Sequence, residues 1–353
     1  MAQRYDYCAV QEAIVLTTKN FKQPDGWAYN SFKTASGHDI RYGSAEPDPD
    51  KFPESKGTVV VTGGYGRHIE YYYEAINNWL NRGYTVYAMD WHGQGGSGRE
   101  NPDRPELPPT YGFENHVGMF HEFVQNVVKP DPMRPAFLST HSMGGNIIMR
   151  YLQEHENDPD FPFDAAVMGA PLIDIGTTVV PRGLFRRLVN FLDEQGADNF
   201  SIPSLGKAFE DAIEFLTDWN REKEDKIRDR VHEGYKQETE EYAIGFPTVG
   251  WLKSAFNSAA VVNDKKFLSK IKTPVLILTA GNDALVSKSA QEDAAKSLPR
   301  GQQIFFDDAK HGIWYDHDDV QYPMWRAIDR FIHGITRAYD AISKYDPFVR
   351  KVG

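Results

Sequence analysis

The sequence predicts an α/β fold: a mostly parallel, doubly wound sheet whose regular alternation is interrupted once by a long helical insertion. Three observations carry that prediction. Short apolar runs such as Thr58–Thr62 (TVVVT) alternate with segments of helical periodicity, and continuous β-branched runs suit strands buried on both faces. The stretch Pro135–Arg150 (PAFLSTHSMGGNIIMR) reads as a buried strand, a sharp turn at His141-Ser142-Met143 and an apolar helix start. Residues 172–262 lack such strands, and the alternation resumes at Pro274.

Taken in order, residues 13–18 (AIVLTT) and 38–45 (HDIRYGSA) read as short antiparallel strands flanking a Gly/Asn/Asp-rich turn region. The proline-broken linker EPDPDKFPESKG then leads into the strand Thr58–Thr62. Ile69, Tyr72, Tyr73, Ile76, Trp79 and Leu80 follow the i, i+3, i+4, i+7 pattern, which predicts a helix over Ile69–Arg82 stopped at Gly83. Tyr84–Met89 is the next strand. Beyond it, Gly93, Gly95 and Gly98 fit G-x-G-x-x-G, but the four prolines of RENPDRPELPPT forbid the helix that a dinucleotide site must begin there. A glycine-rich loop at the sheet edge is expected instead. A helix over Glu114–Val128, the strand-turn-helix at Ser142 and a strand at 165–169 (AAVMG) complete the first half. After the insertion come the strand PVLILTAG, a helix over Ser289–Leu298, the strand QQIFFDD and a final helix near Trp325–Ala338. Residues 1–171 and 263–353 are thus expected to form one core, with 172–262 inserted between its halves.

The chemistry follows from where the sheet delivers polar residues. Ligands and reactive groups gather outside the C-terminal ends of parallel strands. A serine at a strand-to-helix turn stands proud of that edge, with a helix N-terminus behind it to favour developing negative charge. Its hydroxyl is a poor nucleophile without a base, and the base needs a carboxylate to orient it. PVLILTA ends in Gly281-Asn282-Asp283, and QQIFFDD runs on to Ala309-Lys310-His311. Ser142, Asp283 and His311 therefore fall at three strand ends as nucleophile, acid and base. Asp307, Asp308 and His317 are rivals, and His141 is expected to pack away from the reacting centre. The backbone N–H of Met143 is one candidate donor to an oxyanion. The loop Gly63-Gly64-Tyr65-Gly66 supplies the other, at the Tyr65 N–H with Gly64 as rival. Thr140 stands two before the serine, where a strained turn prefers a small residue; Gly144, two after, meets that preference.

Composition narrows the partners. The chain has 353 residues, 41% hydrophobic and 25% charged, with a formal net charge of −11. That charge disfavours nucleic acid and electrostatic docking on anionic membranes. Cys8 is the single cysteine, so no intrachain disulfide can form, and a reducing, cytoplasmic setting is expected. The opening MAQRYDYCAVQEAIVL has no basic start and no long apolar run, so no signal peptide is expected. No stretch has the ~18 consecutive apolar residues of a transmembrane helix. No H-E-x-x-H or His/Cys cluster appears, and neither metal nor cofactor is expected. Oligomeric state has no determinant in the sequence.

Together these segments resemble the α/β-hydrolase superfamily, and within it the bacterial lysophospholipase and monoacylglycerol lipase group. GGYGRHIEYYYEAINNWLNRGYTVYAMDWHGQGGSGR is similar to that group's oxyanion loop, first helix and D-x-x-G-x-G-x-S-G strand end. STHSMGGNI is similar to its nucleophile elbow, and GNDALV and AKHGIWYD to its acid and histidine segments. Two departures are Thr140, where the elbow is usually glycine, and Gly63, where monoacylglycerol lipases carry a histidine. The second brings the lysophospholipase branch closer. The resemblance implies an α/β-hydrolase fold, a serine esterase acting on a lipid or small-molecule ester, and a helical cap formed by 172–262. Phe185, Leu188, Phe191, Leu192, Phe215, Leu216, Trp219, Phe246, Trp251 and Phe256 give that segment its apolar bulk. With 11 Lys/Arg against 16 Asp/Glu it carries a net −5, which suits a neutral glycerol or choline-type headgroup better than a fatty-acid anion or phosphate monoester. A general carboxylesterase, an amidase or lactonase, and a non-catalytic binding protein on the same fold are the competing readings.

Overall fold

The computed structural model describes residues 21–176, 181–201 and 239–345, with Arg228, Val231, Gly234 and Tyr235 between the last two segments. Cys8, the strand expected over 13–18, the side chains Phe215, Leu216 and Trp219, and most of the charged stretch 221–242 lie outside these residues.

Eight strands form one sheet in the order β1-β2-β4-β3-β5-β6-β7-β8. They are β1 (Ala28–Lys33), β2 (Asp39–Ala45), β3 (Thr58–Thr62), β4 (Thr85–Met89), β5 (Ala136–His141), β6 (Ala165–Gly169), β7 (Val275–Ala280) and β8 (Gly301–Phe306). The β1–β2 and β2–β4 pairs are antiparallel, and every pair from β4 to β8 is parallel. The central strands β3, β5, β6 and β7 are buried along their whole length, as their unbroken apolar runs demand. Helices α1 (Tyr73–Leu80), α2 (Phe113–Phe123), α3 (Met143–His155), α4 (Arg182–Glu194), α5 (Val249–Val262), α6 (Lys265–Leu268), α7 (Lys288–Ser297) and α8 (Asp318–Tyr345) accompany it. Among the described residues, no helix is long and apolar enough to cross a membrane.

Several boundaries differ from expectation for local reasons. The region read as a turn holds β1, which pairs with β2 from Ala28 opposite Ser44 to Lys33 opposite Asp39; its aromatic Tyr29 and Phe32 outweigh the neighbouring turn formers. Helix α1 is preceded by a 3₁₀ turn at Ile69–Tyr72, and α2 ends in a π turn at Val124–Val128 whose cap, Lys129, has φ 43°. Helix α8 starts at Asp318 rather than near Trp325. Asp318 and Asp319 favour its N-terminus, and Pro323 is carried inside it. The stretch 221–242 carries charges of mixed sign and on that pattern reads as a solvated face. Arg228 within it is instead buried at 3% exposure, because Glu74 and Asp318 both pair with its guanidinium.

The inserted segment ends in α5, which is rooted on the core. Ala255, Phe256 and Ala259 are fully buried, and Ser258 donates to Asn146 of α3 at 2.6 Å. Leu184, Leu188 and Phe191 on α4 are exposed.

Candidate active site

Ser142 follows β5 and caps α3, with φ 51° and ψ −116°. A side chain in that region is strained by about 1–3 kcal/mol and persists only where its surroundings fix it. They do so through three backbone bonds. The Ser142 N–H donates to the Gly169 carbonyl at 3.1 Å, and its carbonyl accepts from Leu172 and Asn146 at 2.9 and 3.3 Å. The small residue two positions on is required by close approach: a Cβ at Gly144 would stand 2.6 Å from the Gly63 carbonyl oxygen. Thr140 is accommodated without crowding at Gly145, where even a Cβ would only touch it. A Cβ at Gly145 would lie 3.4 Å from Thr140 Oγ1, which is buried with no hydrogen-bond partner.

The sheet brings the three predicted residues together. His311 Nε2 is 2.9 Å from Ser142 Oγ, and His311 Nδ1 is 2.7 Å from Asp283 Oδ2. Asp283 Oδ1 accepts from the Leu285 and Val286 N–H groups at 2.8 and 3.2 Å, which fixes the carboxylate in the turn after β7. The Asp283 side chain is 1% exposed and that of His311 is 19%, so the imidazole is the more open of the pair. The rivals stand elsewhere. Asp307 and Asp308 are exposed, and His317 lies beside Asp316 at 3.6 Å.

The loop after β3 is pinned at several of its polar backbone groups. Trp91 Nε1 donates to the Gly63 carbonyl at 2.8 Å, Gln94 Nε2 to the Gly64 carbonyl at 2.7 Å, and Gly66 N–H to Gln94 Oε1 at 3.1 Å. The Gly64 N–H donates to Tyr72 Oη at 2.9 Å and is therefore already engaged. Among the described residues, the N–H groups of Tyr65 and Met143 have no acceptor. A Cβ at Gly64 would come 2.9 Å from Ser142 Cβ, so this loop lies directly against the serine. The glycine-rich loop after β4 starts no helix; through Trp91 and Gln94 it buttresses the loop facing Ser142.

Tyr72, which the sequence marks only as an apolar helix position, and His141, expected to pack, complete the arrangement. His141 is buried, with Nδ1 2.8 Å from Tyr72 Oη and Nε2 2.9 Å from the His311 carbonyl. The carbonyl can only accept, so Nε2 carries the proton and the Tyr72 hydroxyl donates to Nδ1. Burial holds His141 well below the usual imidazole pKa and Tyr72 well above the usual phenol value, so both stay neutral. A single chain of hydrogen bonds thus runs from Gly64 through Tyr72 and His141 to the backbone of His311. Tyr72 fitted the apolar face of a helix too well for its hydroxyl to be noticed.

Elsewhere, a cavity of about 300 Å³ lies between α1 and α8, walled by the paired Arg82, Arg228, Glu74 and Asp318 and not by Ser142. Among the described residues, one His/carboxylate group could be considered for a metal: His121, His155 and Asp158. Its imidazoles stack at 4.1 Å and 14°, which sets their in-plane lone pairs side by side rather than toward one centre.

Comparison with known proteins agrees with this fold. The family described as serine aminopeptidase, S33, matches residues 53–318. Lysophospholipase L2 of Escherichia coli K12 is 25% identical over 285 residues, covering 78% of this chain and 80% of that one. The monoacylglycerol lipase of Mycolicibacterium smegmatis is 28% identical over 152 residues, 43% of this chain and 49% of that one. In fold, a soluble variant of the Saccharomyces cerevisiae monoglyceride lipase, solved with a substrate analogue, matches with a TM-score of 0.62 at 15% identity, covering 86% and 94% of the two chains.

Proposed function

The chain belongs to the serine aminopeptidase, S33, family of α/β-hydrolases, and on that premise we propose that it hydrolyses carboxylic esters of lipids, as a lysophospholipase or monoacylglycerol lipase does, through an acyl-enzyme on Ser142. The observation that carries the proposal is the continuous path from Asp283 through His311 to Ser142, at 2.7 and 2.9 Å, beside two unengaged N–H groups.

His311 Nε2 takes the Ser142 proton as Oγ attacks the ester carbonyl. Asp283 holds the opposite nitrogen protonated and stabilises the imidazolium. The oxyanion accepts from the Met143 and Tyr65 N–H groups, each donor contributing on the order of a hundred- to a thousandfold in rate. His311 then protonates the leaving glycerol oxygen, removes a proton from the incoming water, and the acyl-enzyme breaks down to the fatty acid and free Ser142.

Residues 172–262 act as the cap over this site. Their contact with the oxyanion loop supports that role: Tyr65 Oη donates to the Gly245 carbonyl at 2.8 Å, and the Tyr65 and Trp251 rings lie 4.5 Å apart. Half-buried Phe246 beside them offers apolar surface to an acyl chain. Each methylene placed there contributes about 0.8 kcal/mol, or roughly fourfold in kcat/KM. Specificity should therefore climb along a p-nitrophenyl ester series until the pocket is full. A maximum at two carbons with no turnover of long chains would sink the lipid reading. Lysophospholipids, monoacylglycerols and aminoacyl amides belong in the same screen, since this triad could also attack an amide.

The Tyr72 chain gives the mechanism a second handle. Tyr72→Phe frees the Gly64 N–H and with it the loop that presents Tyr65 N–H. A lost bond to a buried donor of this kind costs about 1–3 kcal/mol, so kcat should fall roughly tenfold with KM nearly unchanged. Steady-state kinetics on one long-chain ester would check this, and an unchanged kcat would remove the loop from the rate-determining geometry.

A further inference from the structure

Arg67 is three residues past Gly64, and its side chain is exposed. Its Nε donates to Tyr315 Oη at 3.3 Å, and its guanidinium carbon stands 4.7 Å from the centre of the Tyr71 ring. Tyr315 belongs to the histidine segment: its ring is 5.9 Å from that of His141, which is 4.9 Å from that of His311. These contacts hold Arg67 at the margin of the reacting centre and fix the plane of its fork. Other arginines in the fold, Arg41, Arg82, Arg134, Arg150 and Arg228, each pair with a carboxylate. Among the described residues, no carboxylate pairs with Arg67, and its two Nη groups have no acceptor.

A planar guanidinium with both terminal nitrogens open matches an oxyanion that can accept two parallel bonds, and phosphate is the strongest such partner. In a lysophospholipid only the three glycerol carbons separate the ester from the phosphate, and Arg67 lies on the same loop as Gly64, where a Cβ would come 2.9 Å from Ser142 Cβ. We propose that Arg67 binds the phosphodiester anion of a lysophospholipid and sets a preference for it over a neutral monoacylglycerol. The inference rests on the lipid-ester reading and deepens it. It also refines the charge argument. The net −5 of the insertion suits a neutral or a choline-type headgroup, and a zwitterionic lysolipid brings its ammonium toward that acidic segment and its phosphate to Arg67. A free α-ammonium, as on an aminopeptidase substrate, would meet a like charge here.

The test compares the full-length protein with Arg67→Gln and Arg67→Lys on palmitoyl lysophosphatidylcholine and palmitoylglycerol, in the same neutral detergent. Arg67→Gln should lose on the order of thirtyfold in kcat/KM on the phosphate-bearing lipid, mostly through KM, and threefold or less on the glyceride. Arg67→Lys should recover part of the loss. Equal losses on both lipids would reduce Arg67 to a prop for Tyr315, and no loss on either would remove it from the site. To separate this from the catalytic reading, the same substitution is made in Ser142→Ala protein and titrated with the non-hydrolysable ether analogues of both lipids. Weaker binding of the ether lysolipid alone supports the proposal even if wild-type protein cleaves neither ester. Unchanged binding overturns it even if both are cleaved. Glycerophosphocholine without a chain, added as competitor, distinguishes a lipid subsite from a site for the phosphodiester alone.

Discussion

Ser142→Ala should lower kcat on a long-chain ester by about a millionfold while leaving the protein folded. The structure says why the effect falls on chemistry alone. Ser142 is held by its backbone, through Gly169, Leu172 and Asn146, and among the described residues its hydroxyl has the single partner His311. Removing Oγ deletes the attacking atom and no structural bond. Alanine tolerates φ 51° no better than serine, so the melting temperature should stay close to wild type. Ser142→Gly is the informative companion. It is equally without a nucleophile, but glycine adopts this backbone without strain, so it should be at least as stable as Ser142→Ala. A fluorophosphonate probe should label wild type at Ser142 and neither variant. Labelling elsewhere, or residual turnover within a hundredfold of wild type, would mean that another residue carries the acyl group.

What the sequence made legible was whatever local pattern encodes. Strands β3, β5, β6 and β7 are continuous apolar runs because both of their faces are covered, and the late strand ends named Asp283 and His311 because a parallel sheet presents residues only there. Tyr65 could be singled out from its glycine neighbours, but the reason it outranks Gly64 is not local. It depends on Tyr72, eight residues on, taking the Gly64 N–H, and on Gln94, from another strand end, taking that of Gly66. The same holds for His141. Next to Ser142 in sequence, it reads as packing; only the carbonyl of His311 and the hydroxyl of Tyr72 show that its two nitrogens join the loop after β3 to the backbone of His311. Arg228 shows the limit most plainly. Surrounded by mixed charges it reads as a solvated residue, and its burial is dictated by Glu74 and Asp318, which are distant in sequence. Periodicity reports which face of an element is covered, but not which polar atom on that face finds a partner across the fold.

Asp283→Asn should cost about ten-thousandfold in kcat, with little change in fold, and the reason lies in the two oxygens of that carboxylate. Oδ1 accepts two backbone N–H groups, from Leu285 and Val286, and Oδ2 faces His311 Nδ1. An asparagine keeps those backbone bonds only by putting its carbonyl oxygen in the Oδ1 position, which turns its NH₂ toward the imidazole. His311 Nδ1 must then accept, the ring proton moves to Nε2, and the nitrogen facing Ser142 is no longer a base. Flipping the amide to serve His311 would instead aim its NH₂ at two N–H donors, which the turn cannot tolerate. The substitution thus selects the wrong tautomer by a hydrogen-bond constraint 28 residues from the histidine. Nitrogen-15 NMR of the imidazole should report that tautomer directly, a signature that general destabilisation would not produce. Asp307→Asn, on an exposed carboxylate at the end of β8, should leave kcat within twofold. If Asp307→Asn were the damaging change and Asp283→Asn the mild one, Asp283 would be a turn residue and the acid would have to be sought at the end of β8.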